Sequence, residues 1–397
     1  MERIELLSPA GDLERLKVTL LYGADAVYIG GEKYGLRANA TNFTLEEIEE
    51  ACTFAHELGK KVYLTLNIVF HNEDMAGVEE YIDSVVKCGI DAFIVSDPFI
   101  ISYIKNNYDV EVHLSTQNST TNYKAVEYFK SEGVDRVVLA RELSKNEIID
   151  IIDKTNIDIE VFIHGAMCTC FSGRCALSNY ITNRDANRGG CSQVCRFSFE
   201  TNEDKEFTMA TKDLNMARYI SDLIEIGVRS LKVEGRMRSL YYLATVIGTY
   251  RMIIDSFYDG TLDEEKLDIY EKRLARVANR EVSSQYFLHK ADYTDQYYTG
   301  RSEASNQDYL GLIKGYDYKN KCLILIERNY FKPGDKVEIF TPSGEFYNYT
   351  IKEIYDEDMN KLEVARHPEQ ILKLKFDKEL EEYSMMRLVD WGELWIN

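Results

Sequence analysis

Long apolar runs, histidine and positive charge are all in short supply in this sequence, and each shortage closes off a class of function. No stretch approaches the roughly 18 uninterrupted apolar residues that a membrane-crossing helix needs, so no membrane association is expected. The segment from Met1 to Pro9 has no basic start followed by an apolar run. That predicts no signal peptide and a soluble, cytoplasmic protein. Histidine occurs six times in 397 residues, with neither a His-Glu-x-x-His zinc motif nor a Gly-x-Ser-x-Gly nucleophile turn. Lysine and arginine number 47 against 67 acidic residues, a formal net charge of −20. Nonspecific attraction to nucleic acid is therefore excluded, and any phosphate contact must come from a local basic patch. No internal repeat or low-complexity segment stands out.

What is present is ordinary globular composition, 45% hydrophobic and 29% charged. Eight short apolar runs alternate with amphipathic stretches through the first 235 residues: Ile4 to Ser8, Ala24 to Ile29, Lys61 to Ile68, Ala92 to Ser96, Val110 to Thr116, Arg136 to Ala140, Ile157 to Ile163 and Ser230 to Val233. Helical periodicity fills the gaps, as from Leu45 to Leu58 behind a Thr44 cap. Eight strand–helix units predict a parallel barrel, with a doubly wound open sheet as the competitor. Closure is favoured by polar residues sharing one strand face: Tyr63, Thr65 and Asn67; His113, Ser115 and Gln117; Lys232 and Glu234. Such faces need a wet pocket or mutual pairing, and a barrel mouth supplies the former. Beyond residue 309 the pattern becomes short β runs separated by turn signals such as Lys332-Pro-Gly-Asp335. The fold class expected is α/β: a (β/α)8 TIM-like barrel over residues 1–300, a Cys-rich insertion at 165–205, and a small antiparallel β-barrel domain over 305–397.

Five of the eight cysteines fall between residues 168 and 195. In an intracellular chain such clustering points to metal rather than disulfides. Cys52, Cys88 and Cys322 lie in helix and strand patterns and read as small buried hydrophobes. Six residues separate Cys168 from Cys175, fifteen separate Cys175 from Cys191, and three separate Cys191 from Cys195. Four thiolates suit either a 4Fe-4S cluster or tetrahedral zinc, and the wide first spacing fits the cluster better than a zinc knuckle. Cys170 is the odd one out, a spare thiol or a ligand in place of Cys168. Arg174, Arg184, Arg188 and Arg196 surround these thiols, where they would offset thiolate charge or meet RNA phosphate.

The run Glu160-Val-Phe-Ile-His-Gly-Ala-Met-Cys168, followed by Gly173-Arg-Cys-Ala-Leu-Ser178, resembles the signature of the peptidase U-32 family. Leu7-Ser-Pro-Ala-Gly-Asp12, Ala24-Asp-Ala-Val-Tyr-Ile-Gly-Gly31, Leu114-Ser-Thr-Gln117 and Val233-Glu-Gly-Arg236 resemble the same family. The resemblance spans roughly residues 3 to 300. It places Cys168, Cys175, Cys191 and Cys195 on the family's four cluster ligands and gives Cys170 no counterpart. With its C-terminal domain the chain is similar to the family's prephenate-dependent tRNA uridine 5-hydroxylases. That similarity implies a 4Fe-4S cluster, prephenate as co-substrate and the anticodon stem-loop of tRNA as partner, alongside a homo-oligomer or a partner subunit of the same family. A dicarboxylate would need cationic clamps, and Arg37, Arg141, Lys232 and Arg236 lie near strand ends, with Asn67 and Gln117 on the polar faces. His113, His164 and Glu234 are the candidate proton-transfer groups. The alternatives are a collagenase-like peptidase, or hydroxylation of an rRNA cytidine or a quinone precursor. Peptide hydrolysis draws weak support, because a cysteine held in a cluster is no free nucleophile.

Overall fold

The computed structural model describes residues 3–36, 42–202, 205–297 and 308–389, in two units that divide at Glu303 and Ala304. In the first unit eight strands run parallel: β1 (Glu5–Pro9), β2 (Ala26–Gly30), β3 (Lys61–Leu66), β4 (Ala92–Val95), β5 (Glu111–Leu114), β6 (Arg136–Val138), β7 (Asp158–Gly165) and β8 (Ser230–Val233). They pair in sequence order, and β8 pairs with both β7 and β1, which closes the barrel. Helices α1 (Leu13–Leu21), α2 (Leu45–Glu57), α3 (Val78–Lys87), α4 (Pro98–Asn107), α5 (Tyr123–Ser131), α6 (Lys145–Lys154), α7 (Ile220–Glu225) and α8 (Leu240–Tyr258) follow the eight strands in turn. A further helix, α9 (Glu264–Ala275), packs on α8.

Local chemistry fixes where the helices begin. Asp12, Thr44, Asp97, Asn122, Ser144 and Ser239 each accept a hydrogen bond from a backbone amide in the first turn of the helix that follows. Thr44 forms a full capping box with Glu47, as Ser144 does with Glu147. The opposite end of the barrel carries a recurrence that is easy to overlook in the sequence. Gly23-Ala-Asp25, Gly89-Ile-Asp91 and Gly133-Val-Asp135 precede β2, β4 and β6. Each aspartate accepts the amide of the preceding strand: Leu6, Val62 and Val112, at 2.9, 2.7 and 2.8 Å. The glycines sit at φ of +106°, +89° and +91°, a turn that other residues enter only with strain. This three-residue turn recurs before β2, β4 and β6, too short to register as sequence periodicity.

The insertion follows β7. It ends in a short strand, Asp213–Asn215, which pairs antiparallel to the end of β7 and parallel to Val282–Ser283. Cys52 and Cys322 are buried as expected. Cys88 is only partly so, because it caps α3 and donates to the carbonyl of Ser84 at 3.3 Å. Among the described residues no helix is long and apolar enough to cross a membrane.

The second unit is an eight-stranded antiparallel sheet whose longest members are Tyr309–Asp317 and Cys322–Glu327. Its inward side chains, among them Leu310, Leu325, Phe331, Val337 and Leu374, form one core.

Candidate active site at the C-terminal mouth of the barrel

The polar strand faces divide by depth into two zones of different chemistry. The deeper zone is a closed ionic network. Arg136 lies 2.6 Å from Glu5 and 3.2 Å from Glu160, and the Lys232 ammonium reaches Glu160 at 2.7 Å. Tyr63 and Ser230 donate hydroxyls to Glu5 at 2.6 and 2.7 Å, and Lys232 rests 4.5 Å above the Tyr28 ring. Two acids and two bases balance, so the network carries no net charge. Burial would raise the Glu160 carboxyl, but Lys232 and Arg136 outweigh it and hold it at about 2. His113 is fully buried, edge-on to Tyr63, with Nε2 3.1 Å from Glu111. Burial depresses its pKa and keeps it neutral. Lys232 and His113 therefore sit in the barrel interior, below the mouth where ligand binding was anticipated. The carboxylate that holds Lys232 there, Glu160, and the Glu5 and Arg136 groups networked with it occupy inward strand positions, which was the overlooked signal.

The shallower zone opens at the strand ends. The Asn67 amide donates to Ser115 at 3.3 Å and accepts from the Leu36 amide at 3.3 Å. The Oε1 of Gln117 is buried with no donor among the described residues. Arg141 stacks on Phe162 at 3.8 Å, donates to the carbonyl of Ala166 at 2.7 Å and lies 3.9 Å from Glu234. Glu234 also accepts from the Tyr28 hydroxyl at 3.3 Å. The Arg236 guanidinium spans Leu36 O and Asn42 Oδ1, both at 3.0 Å, and lies across Gly30, where any Cβ would come within 2.2 Å of it. Arg37 falls outside the described residues. The mouth thus gathers Asn67, Gln117, Arg141, Glu234 and Arg236, two guanidinium groups and one carboxylate, at the end of the barrel where such folds carry chemistry.

His164 does not join them. Its Nδ1 meets the Tyr250 hydroxyl of α8 at 3.1 Å, and the ring packs between Tyr242 and Tyr250. A register shift between Lys232 and Val233 brings Val233 opposite His164. Burial, with the Arg238 charge adding to it, lowers His164 to about 3, so it is a neutral packing group.

The cysteine loop is tied to the mouth at several points. Glu142 accepts from the amide and hydroxyl of Ser172 at 2.6 and 3.2 Å. Arg174 donates to the carbonyl of Gln117 at 2.6 Å, and Asn187 clasps both backbone groups of Cys175 at 3.1 and 3.0 Å. Arg188 is committed to Asp74 and to the carbonyl of Val69, so it braces the loop. Arg196 bonds the Gln193 side chain at 2.6 Å. These anchors make sense only in three dimensions, and residues such as Glu142, Asp74 and Asn187 gave no signal in the sequence.

All five thiols of the loop are unbridged. They perturb one another electrostatically: Cys168 responds to Cys191 and Cys195, Cys195 to Cys175, and Cys170 to Cys175. Burial pushes Cys175 up, but hydrogen bonds from Ser178, Cys170 and Leu177 more than offset it and bring the thiol below its ordinary value. Four thiolates around one tetrahedral zinc would lie about 3.8 Å apart. Among the described residues, the side chains whose donor atoms gather within 4.8 Å of one another are His289, Asp292 and Asp295, and no three cysteines do so. Cys168, Cys175, Cys191 and Cys195 supply thiols that either a tetrahedral metal or an iron–sulfur cluster would take. Asp292 and Asp295, for their part, are engaged by Thr294, Ser283 and the Asp292 amide.

The family model for peptidase family U32 matches residues 11–297, and that for the U32 C-terminal domain matches residues 305–387. The chain is 46% identical to tRNA hydroxylation protein P1 of Bacillus subtilis, over 96% of this chain and 94% of that protein. It is 35% identical to a collagenase of Porphyromonas gingivalis, over 88% and 89% of the two chains. A 23S rRNA 5-hydroxycytidine synthase of Escherichia coli is 37% identical over 65% of this chain and 40% of its own length.

Proposed function

We propose, from the premise that this chain belongs to peptidase family U32, that it hydroxylates a pyrimidine of tRNA. In its full form the reading is oxygen-independent formation of 5-hydroxyuridine at the wobble position in the cytoplasm, with prephenate as oxygen donor and a 4Fe-4S cluster on Cys168, Cys175, Cys191 and Cys195. Likeness to proteins named for tRNA hydroxylation and for 5-hydroxycytidine synthesis supports RNA as the substrate. The observation that carries the reading is the mouth itself. Two buried-edge guanidinium groups, Arg141 and Arg236, face a barrel end closed over by a loop of unbridged thiols.

The protein's own groups can do the following. Arg141 and Arg236 bind and orient carboxylates of a small dianion by charge-assisted hydrogen bonds. Arg141 is held flat by Phe162, so its donors are aimed before the ligand arrives. Glu234 lies within reach of Arg141 and Tyr28 and can hold or pass a proton at the co-substrate bound in the mouth. A bound cluster would supply electron-transfer chemistry. The loop's anchors to Gln117 and Glu142 keep its thiols at the mouth.

Peptide hydrolysis finds less support. Among the described residues no insertion cysteine hydrogen-bonds a histidine, and His113 and His164 are buried and neutral. The test is to incubate anaerobically purified protein with tRNA and prephenate, digest the RNA and weigh its nucleosides. A uridine carrying one added oxygen, formed only when prephenate is present, is the expected result. Unchanged nucleosides together with cleavage of gelatin would replace this reading with the peptidase.

A further inference from the structure

A cavity of about 440 Å³ lies beside the mouth, between the start of the cysteine loop and the segment Gln285–Gln296. Its walls are fixed. The Gln285 amide donates to the carbonyl of Lys212 at 2.8 Å, the Lys212 amide donates to the carbonyl of Asp295 at 2.8 Å, and Thr211 bridges to Gln296. Arg280 and Asp213, 2.8 Å apart and nearly buried, hold the base of the segment. Cys168 lines one side, so whatever enters stands next to the thiol loop.

Three properties of the lining select an occupant. Glu142, Asp292 and Asp295 line it and, among the described residues, no lysine, arginine or histidine does, so these carboxylates repel a dianion or a phosphate. Phe171 and Tyr293, on the two facing segments, are 51% and 74% exposed, aromatic faces left in water at the rim. Gln296 lines the cavity with a buried Oε1 that has no hydrogen-bond donor among the described residues. A flat neutral ring bearing N–H donors answers all three: it stacks on the aromatics, donates to Gln296 and escapes the carboxylates' repulsion. The volume lies in the range that encloses small ligands of nucleoside size.

We propose that this cavity receives the target pyrimidine, flipped out of the RNA, while the anionic co-substrate occupies the cationic barrel mouth. The assignment rests on the hydroxylase reading and deepens it by giving base and anion separate, adjoining subsites at the start of the cysteine loop, where Arg141 bonds Ala166 and Met167 and Cys168 line the cavity. Extrusion costs least for an unpaired loop nucleotide, and aromatic stacking together with hydrogen bonds to the ring edge repays it. Phosphates stay outside, where Arg174 and Arg184 are exposed on the same loop.

The test uses the iron-loaded full chain and a tRNA anticodon stem-loop carrying 4-thiouridine at the position modified. After irradiation, crosslinks are mapped to peptides, and RNA binding is measured for Phe171→Ala, Tyr293→Ala and Gln296→Leu. Crosslinks in the peptides holding Phe171, Tyr286 or Tyr293 are expected. Each aromatic removal should weaken binding about ten-fold, the usual worth of one stacked base, with iron content unchanged. Phe171 and Tyr293 are exposed, so their loss leaves folding intact. Wild-type affinity in all three variants, with crosslinks elsewhere, overturns the pocket while a hydroxylating wild type leaves the broader function standing. A wild type that leaves every tRNA nucleoside unchanged overturns both.

Discussion

Lys232 shows how a charged residue near a strand end can be structural. Its side chain is 5% exposed, with the ammonium 2.7 Å from Glu160, and belongs to a neutral four-charge network. Removing one partner of such a pair strands the other in low dielectric, at a cost of about 3–5 kcal/mol. Lys232→Met should therefore lower unfolding stability by that order in urea titration, while KM for prephenate in the folded fraction stays within a few-fold of wild type. A large rise in KM at unchanged stability would return Lys232 to the binding site. Arg141→Met should do the reverse, raising KM by about ten- to a hundred-fold with little change in stability, because it loses a charge-assisted contact to the ligand.

His164 makes a prediction about acid stability. Its folded pKa, about 3, is depressed from 6.5, so the neutral ring's contribution is complete above pH 6.5 and drains away as pH falls toward 3. By pH 4.5 the loss should reach about 2–3 kcal/mol. Glu160, depressed from 4.5 to about 2, adds a second stage that begins only below pH 4.5. Urea midpoints between pH 7 and 4.5 should fall steeply in wild type and much less in His164→Asn. Equal slopes would mean that the imidazole is not held neutral by the fold.

At the scale of elements, the eight strands and their helices were legible because each strand is a short apolar run and six of the eight helices open on a capping side chain such as Thr44 or Ser144. The insertion after the seventh strand was legible from its cysteine density and length. Depth was not. Tyr63, Thr65 and Asn67 alternate identically in the sequence, yet the first bonds a buried glutamate and the last faces the mouth. Strand periodicity gives the face and not the layer, and the layer depends on how the register staggers around the barrel. His164 was misjudged for a related reason, since its partners, Tyr242 and Tyr250, lie some eighty residues away on α8. Within the loop, Cys170 is the thiol with no assigned place. Cys170→Ser should retain iron in anaerobic preparations, whereas Cys175→Ala should lose it; iron loss from both would make Cys170 a ligand.

For the whole molecule, a net charge of −20 must coexist with the RNA binding proposed here. Overall attraction cannot supply affinity, so phosphate contacts should be few and local, drawn from the exposed guanidinium groups of the cysteine loop. Arg188 is already spent on Asp74. About three contacts would give a slope near −2 to −3 in log affinity against log salt, shallower than for a basic RNA-binding protein. Filter binding of tRNA across a salt series checks this, and a slope steeper than about −6 would place the interface on a basic surface not considered above. The weak electrostatics place the selectivity on the shaped sites at the end of the barrel, where the cysteine loop, the cationic mouth and the acidic side cavity meet.

The claim on which these sites depend is that the loop holds an iron–sulfur cluster. Iron and acid-labile sulfide should be quantified, with a visible spectrum, on wild-type protein purified without oxygen. The account predicts about four irons and four sulfides per chain and a broad visible absorption bleached by reductant. A colourless protein carrying one zinc, or no metal, would contradict it and remove the redox basis for the hydroxylation proposed here.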